Sequence, residues 1–153
     1  MQVHQVMSRS IRSVNADAKV VEVASIMCLY RIPGIPVVVD DGKLVGIIAE
    51  KDLLHRLFPT LDSLMEEGMG NVDLDRQITK YKEVLALPVS DLMTPNPITV
   101  PPDRHVFWAA SLMVRNRFRR IPVAHDGRLV GMLSLGDLHK AIFHLNVTAQ
   151  QPG

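Results

Sequence analysis

Several residue types that mark particular protein classes are scarce in this chain of 153 residues. It has one cysteine, Cys28, which excludes an internal disulfide and with it a disulfide-stabilised secreted domain. No apolar run approaches the roughly 20 residues that a membrane-spanning helix needs, and the first residues lack the apolar core of a signal peptide. We therefore expect a cytoplasmic protein in which Cys28 is a reduced, mostly buried thiol.

Neither sign of charge is in excess. The chain has 17 Lys and Arg against 16 Asp and Glu, a formal net charge of +1. Nucleic acid and anionic lipid are usually bound by a broad positive field, which this composition does not provide. We expect no nucleic-acid or membrane partner, so any cationic site must be local. A hydrophobic content of 47% is enough for a core of ordinary size.

Motifs of catalysis and metal binding are missing as well. The six histidines show no zinc-ligand spacing, and Cys28 stands in no motif that marks a nucleophile. There is no Walker sequence and no dinucleotide-binding glycine motif. The sequence therefore predicts a protein that is not an enzyme and has no metal or catalytic cofactor.

What the chain does contain is an internal repeat. Met7 and Met93 are 86 residues apart, and many further residues match at the same separation or, after one deletion, at 85. The matching segments include Ile35-Pro36-Val37 with Ile121-Pro122-Val123, Asp41-Gly42 with Asp126-Gly127, and Asp52-Leu53 with Asp137-Leu138. So many matches in one order indicate a duplication.

Each copy predicts the same local structure. A short extended piece precedes Asp17 or Asp103, which we expect to cap a helix whose apolar residues recur every three to four positions. Two β-rich runs separated by Asp-Gly then predict a hairpin. A second helix follows, to about Phe58 in the first copy and Phe143 in the second. The order is β-α-β-β-α, twice, which is an α+β fold.

The segment between the copies has a pattern of its own. Residues 73–85 place Leu74, Ile78, Tyr81 and Leu85 on one helical face, while residues 66–71 predict a loop. The helix either packs on the repeats or forms a docking surface for another protein. The polar tail, residues 147–153, is expected to be flexible.

The last part of each copy carries the candidate chemistry. GMLSLGDL, residues 131–138, places Ser134 three positions before Asp137, whereas GIIAEKDL, residues 46–53, has Ala49 before Asp52. A hydroxyl and a carboxylate at this spacing cap a helix. The same arrangement can bind a nucleotide, because free amides at a helix start bind phosphate and a carboxylate accepts both ribose hydroxyls. Residue type leaves both interpretations open.

These elements, in this order, closely resemble the CBS domain, named after cystathionine β-synthase, over about residues 3–58 and 89–145. The tandem is similar to a Bateman module. The resemblance implies two repeats packed as a pseudo-two-fold pair, with residues 1–58 as repeat 1, 59–88 as a helical linker and 89–146 as repeat 2. It also implies a binding unit in which the Asp holds a ribose and the Ser or Thr approaches a phosphate.

In this family the pockets are composite, so the resemblance implies two clefts, each taking its Asp from one repeat and its strand residues from the other. One cleft would combine Ala49, Lys51 and Asp52 with Thr99, Val100, Arg119, Arg120, Ile121 and Pro122. The other would combine Ser134 and Asp137 with Ser13, Val14, Pro33, Gly34, Ile35 and Pro36.

The two clefts differ in charge. Hydrogen bonds from arginine to phosphate are charge-assisted and worth roughly 1.5 to 3 kcal/mol, against roughly 1 for a neutral hydroxyl. We therefore assign a phosphorylated adenine nucleotide to the Asp52 cleft, and a less charged ligand or none to the Asp137 cleft. A solvated surface turn is the alternative for Arg119 and Arg120.

The predicted function is a regulatory module that senses AMP, ADP or ATP and acts on a protein that the sequence does not identify. The alternatives are a scaffold with vestigial clefts, or a pair that binds another adenosyl ligand such as S-adenosylmethionine or NAD. Amphipathic helices in so short a chain also predict a homodimer.

Overall fold

The computed structural model describes residues 1–57 and 74–150, with the side chains of 1–57 and 75–147. The predicted loop at 66–71 and the end of the tail, 151–153, lie outside the described residues. The helices are α1 (Val20–Tyr30), α2 (Glu50–Leu57), α3 (Leu74–Leu85), α4 (Val106–Asn116) and α5 (Leu135–Gln150). The strands are β1 (Val14–Asn15), β2 (Gly34–Val39), β3 (Lys43–Ala49), β4 (Thr94–Pro95), β5 (Arg120–His125) and β6 (Arg128–Ser134). The predicted α+β class is confirmed.

The chain forms two compact units. Unit 1 contains Met1–Ile11, Asp40–Leu44 and Pro97–Gly153, and unit 2 contains Arg12–Val39 and Val45–Asn96. The units do not coincide with the sequence repeats, because each takes the opening segment of the other repeat. Val3 and Val89, which match in the repeat alignment, begin equivalent 3-10 helices and are both fully buried, Val3 in unit 1 and Val89 in unit 2.

Unit 2 is built around α1 and short strand pairs. The buried residues of α1 are Val20, Val23, Ala24 and Met27, the spacing that the sequence predicts for an inward face. β1 pairs with β2 in parallel, and β3 pairs with β4 in antiparallel register, with Gly46 opposite Pro95. α3 packs against α1 and α2.

Unit 1 contains the β5–β6 hairpin, where His125 pairs with Arg128. The two residues between them, Asp126 and Gly127, have φ of 50° and 78°, the left-handed conformation that a tight hairpin turn requires. The predicted hairpin is therefore confirmed. Val100 forms a parallel bridge with Val123, and α4 buries Val106, Ala109 and Met113.

A close approach of methionine to glycine occurs in both units. A Cβ built on Gly46 would lie 2.5 Å from Met93 Sδ and 2.9 Å from the Thr94 carbonyl oxygen. A Cβ on Gly131 would collide with Met7 Sδ and lie 3.1 Å from the Ser8 carbonyl oxygen. The strands therefore need glycine at these positions, because the opening segment of a repeat crosses there.

The predicted caps at Asp17 and Asp103 are wrong. α1 begins after Lys19, whose side chain makes no capping hydrogen bond, and α4 begins after His105, whose ring accepts from the Phe107 amide at 3.2 Å. Backbone contacts set these starts. The Val20 amide donates to the Leu87 carbonyl, and the Val106 amide donates to the Met1 carbonyl.

Two burial predictions are also wrong. Cys28 is exposed, because Met27 occupies the buried position that follows Val23 and Ala24. Among the side chains of α3 that the structure describes, 75–85, Val84 is buried and Ile78 of the predicted apolar face is 56% exposed. The helix is therefore present as predicted, but only part of the predicted face is turned inward, since Leu85 packs against the core and Ile78 does not.

α5 is longer than predicted. It continues to Gln150, beyond the expected end near Phe143. Within residues 1–57 and 74–150, the structure contains no helix long and apolar enough to cross a membrane.

Candidate functional site

The predicted site residues are divided between the units. Unit 1 contains Thr99, Val100, Arg119, Arg120, Ile121, Pro122, Ser134 and Asp137, and unit 2 contains Val14, Ile35, Pro36, Lys51 and Asp52. The side chains of Val14, Ile35, Val100 and Ile121 are buried in the two hydrophobic cores. A ligand would therefore meet only the backbone at those positions, and polar side-chain contacts must come from the other residues.

In unit 2 the corner between β3 and α2 is closed by Asp52. The Ala49 amide donates to Asp52 Oδ2 at 2.7 Å, and this contact is partly buried. The next amide, of Glu50, donates to the Pro33 carbonyl at 3.0 Å. The carboxylate of Asp52 therefore satisfies the Ala49 amide at this corner. Asp52 is thereby fixed in orientation, with one oxygen already engaged.

In unit 1 the corner between β6 and α5 uses the hydroxyl instead. Ser134 Oγ accepts from the Asp137 amide at 3.0 Å, the arrangement of a helix N-cap. The Leu135 amide donates to the Arg119 carbonyl at 2.8 Å. Among the residues that the structure describes, the Asp137 carboxylate has neither a hydrogen bond nor an ion pair, so its full acceptor capacity is available.

A cavity of about 530 Å³ lies beside Asp137 within unit 1. Its polar lining comes from Asp137, Lys140 and His144 of α5 and from Gln5 and Ser8 of the N-terminal segment, while Val6 and Ala141 are among its apolar residues. The three α5 residues are three and four positions apart, so they lie on one helical face. The cavity therefore combines one acidic group with basic groups.

A second cavity, of about 560 Å³, lies near the start of α5. It is lined by Arg119, Leu135, Gly136 and His139. Arg120 begins β5 and pairs with Ser134 at the end of β6. Both arginine side chains are exposed, as is Lys51 in unit 2. Arg119 thus lies beside the first turn of α5 in its own unit.

The repeated motif does not include Lys140, His144 and Ser8, which also line the cavity beside Asp137. A signal for the first two was present, because both are on the face of α5 that carries Asp137, at spacings of three and seven. The contribution of Ser8 depends on the packing of the N-terminal segment in unit 1, which the order of the repeats does not predict. Within the described part of the chain, no three His, Cys, Asp or Glu side chains cluster as metal ligands.

The comparisons with known proteins agree with the repeat pattern. The family model of the CBS domain matches residues 3–59 and 89–144. Protein MJ1426 of Methanocaldococcus jannaschii is 33% identical over 138 residues, which cover 82% of each chain. The chloroplastic CBS domain-containing protein CBSX2 of Arabidopsis thaliana is 30% identical over 151 residues, 90% of this chain and 60% of the relative.

A solved structure of CBSX2 in complex with AMP superposes with a TM-score of 0.71 at 28% identity. The match covers 95% of this chain and 98% of that one. Two matches to one family model cover most of this chain, and each contains one of the strand-to-helix corners with Asp52 or Asp137. The chain therefore belongs to the CBS domain family and carries a pair of CBS domains.

Proposed function

We propose that this CBS pair is a regulatory binding module, and not an enzyme, whose ligand is the adenine nucleotide AMP, ADP or ATP. The observation that carries the proposal is the available carboxylate of Asp137 beside a cavity of about 530 Å³. That volume is within the range of about 300 to 1,000 Å³ for small-molecule sites. The CBSX2 complex supports AMP as a ligand for this type of module.

The assignment of a phosphorylated nucleotide to Asp52, Arg119 and Arg120 is also a proposal. It rests on the family resemblance and on the strength of charge-assisted bonds to phosphate. Arg120→Ala should weaken the binding of AMP to this site by about 1.5 to 3 kcal/mol, and that of adenosine by much less. Titration calorimetry of both ligands measures the difference.

Thermal stability distinguishes a sensor from a scaffold. A ligand at 100 times its dissociation constant should add about 2.7 kcal/mol to the free energy of unfolding, whereas a scaffold with vestigial clefts should show no shift. AMP, ADP, ATP, S-adenosylmethionine and NAD should be compared in one series. If only S-adenosylmethionine or NAD stabilises the protein, its ligand is that adenosyl compound and not AMP, ADP or ATP.

A cytoplasmic location stays a prediction from the sequence.

We also propose that the protein is a homodimer. α1 exposes Val21 and Leu29 at 45% and 74%, and α4 exposes Phe107 and Val114 at 56% and 67%. Val21 and Phe107 occupy the same position of the repeat. Duplicated apolar faces of this kind favour association of like with like, because a closed dimer buries the same surface from each chain.

Light scattering at micromolar concentration tests the dimer. We expect a dimer mass for the natural sequence and a monomer mass for the double variant Phe107→Glu, Val114→Glu. Ile78→Glu is the control, since Ile78 is also 56% exposed but lies on α3. A monomer mass for the natural sequence would contradict the proposal.

A further inference from the structure

The cavity beside Asp137 contains a carboxylate and an ammonium group on consecutive turns of one helix. Asp137 and Lys140 both line it, and they are three residues apart on α5. Opposite charges at this spacing commonly pair. Among the described residues, however, the structure records no ion pair between them. Both groups are therefore available to the same cavity.

Such a pair matches a ligand with two kinds of polar group. An ionised carboxylate accepts hydrogen bonds from neighbouring hydroxyls, and an ammonium group binds phosphate as a point charge. Three residues advance about 4.5 Å along a helix, which is comparable to the span of a pentose ring. A ribose 5′-phosphate has its hydroxyl pair on one side of that ring and its phosphate on the other.

We infer that Lys140 is the residue by which the Asp137 cavity prefers a nucleoside phosphate to the unphosphorylated nucleoside. The inference rests on the proposed function and adds a specificity residue to it. It also differs from the expectation for this part of the molecule, since the sequence alone favours a less charged ligand, or none, beside Asp137. Ser8 and Gln5 of the N-terminal segment add neutral polar groups to the lining of the cavity.

The positive charge of Lys140 has no counterpart at the matching position of the first repeat. The residue three positions after Asp52 is His55, whereas the residue three positions after Asp137 is Lys140. A preference for phosphate that depends on Lys140 would therefore belong to the Asp137 cavity alone. Its contribution can be separated by mutation from that of Arg120.

Titration calorimetry with AMP and with adenosine tests the inference on the full chain. Lys140→Ala should weaken AMP binding at one class of sites by about tenfold or more, since a charge-assisted bond is lost, and should leave adenosine binding nearly unchanged. Lys140→Arg, which keeps the charge, should preserve most of the affinity for AMP. Lys82→Ala is the matched control, because Lys82 is an exposed lysine on α3.

The outcomes separate this inference from the proposed function. If Lys140→Ala leaves AMP binding intact while Asp52→Ala or Arg120→Ala abolishes it, Lys140 has no such role and the nucleotide function stands. If Lys140→Ala weakens AMP and adenosine equally, the preference for phosphate is overturned. If the natural sequence binds no adenosyl compound, the proposed function fails as well. Lys140 is exposed, so we expect every lysine variant to unfold at the same denaturant midpoint.

Discussion

At the end of β3, Asp52 Oδ2 accepts from the Ala49 amide, whereas at the end of β6, Ser134 Oγ accepts from the Asp137 amide. These are the two halves of a capping box, in which a hydroxyl and a carboxylate serve each other's backbone amides. Each copy of the repeat uses one half. The aspartate thus stabilises the corner in unit 2, and in unit 1 it is left available to a ligand.

The comparison shows how a duplicated motif can divide its tasks. Although Ala49 has no hydroxyl, the corner is still held, because the carboxylate three residues later accepts from the Ala49 amide. The same aspartate must then serve both the fold and any ligand of that repeat. In the second repeat the serine caps the helix, so Asp137 can be changed at little cost to stability.

The largest effect is expected at the glycines that face the methionines. Gly46→Ala and Gly131→Ala should each lower the free energy of unfolding by about 1 to 3 kcal/mol, because the new methyl group overpacks the contact. Gly46→Ala should cost more, since the nearest backbone oxygen is 2.9 Å from the new Cβ and not 3.1 Å. Urea denaturation measures both.

Gly136→Ala is the control for these glycines. No heavy atom lies within 4 Å of a Cβ built on Gly136, and alanine is the better helix former by roughly 0.5 to 1 kcal/mol. This variant should therefore be as stable as the natural sequence or more so. Equal losses at Gly46, Gly131 and Gly136 would show that contact with methionine is not the cause.

The next largest effect is a difference in the loss of stability between the alanine variants of Asp52 and Asp137. Asp52→Ala should destabilise the protein by about 1 to 2 kcal/mol, because the partly buried Ala49 amide loses its acceptor. Asp137→Ala should cost less than about 0.5 kcal/mol, as is usual for an exposed side chain, because its carboxylate makes no hydrogen bond or ion pair within the described residues. Thermal unfolding without ligand compares them, and equal costs would remove the difference between the corners.

Much of the fold could be predicted from the sequence, because its signals are local. The spacing of Val20, Val23 and Met27 predicts the inner face of α1, and Asp126-Gly127 predicts a turn with positive φ. The helix starts could not be predicted this way. Lys19 and His105 precede the helices because α1 and α4 begin with backbone contacts to Leu87 and Met1, which are distant in sequence.

The site could be predicted only in part, for the same reason. Asp52 and Asp137 were identified because the motif repeats. Lys140 was missed because its relevance depends on the cavity that the N-terminal segment forms with α5.

The burial of Cys28 was expected from its residue type alone. Its position on α1, one residue after Met27, decides its exposure.

Ser134→Ala tests the corner of unit 1 by removing the hydroxyl that accepts from the Asp137 amide while leaving the Asp137 carboxylate in place. Removing an N-cap hydroxyl typically costs about 1 kcal/mol, so this variant should be clearly less stable than Asp137→Ala. Thermal unfolding of the two single variants measures the difference. The division of tasks would be contradicted if Asp137→Ala were the more damaging change.

The smallest effect, and the most specific, is expected from Ala49→Ser. The new hydroxyl can accept from the Asp52 amide as Ser134 accepts from that of Asp137, which would complete the capping box and add at most about 1 kcal/mol to the free energy of unfolding. Affinity for AMP should improve by no more than about 1 kcal/mol if the arginines hold the phosphate.

A double variant shows whether the two halves of the box are distinct. The hydroxyl would serve the amide of residue 52, whereas the carboxylate serves the amide of residue 49. Asp52→Ala should therefore cost nearly as much in the Ala49→Ser background as in the natural sequence, with a coupling energy below about 0.5 kcal/mol. If the serine instead cancels the whole cost of Asp52→Ala, hydroxyl and carboxylate are interchangeable at this corner. Asp52 would then be engaged at this corner only because the serine is missing, and the two halves of the box would not be distinct.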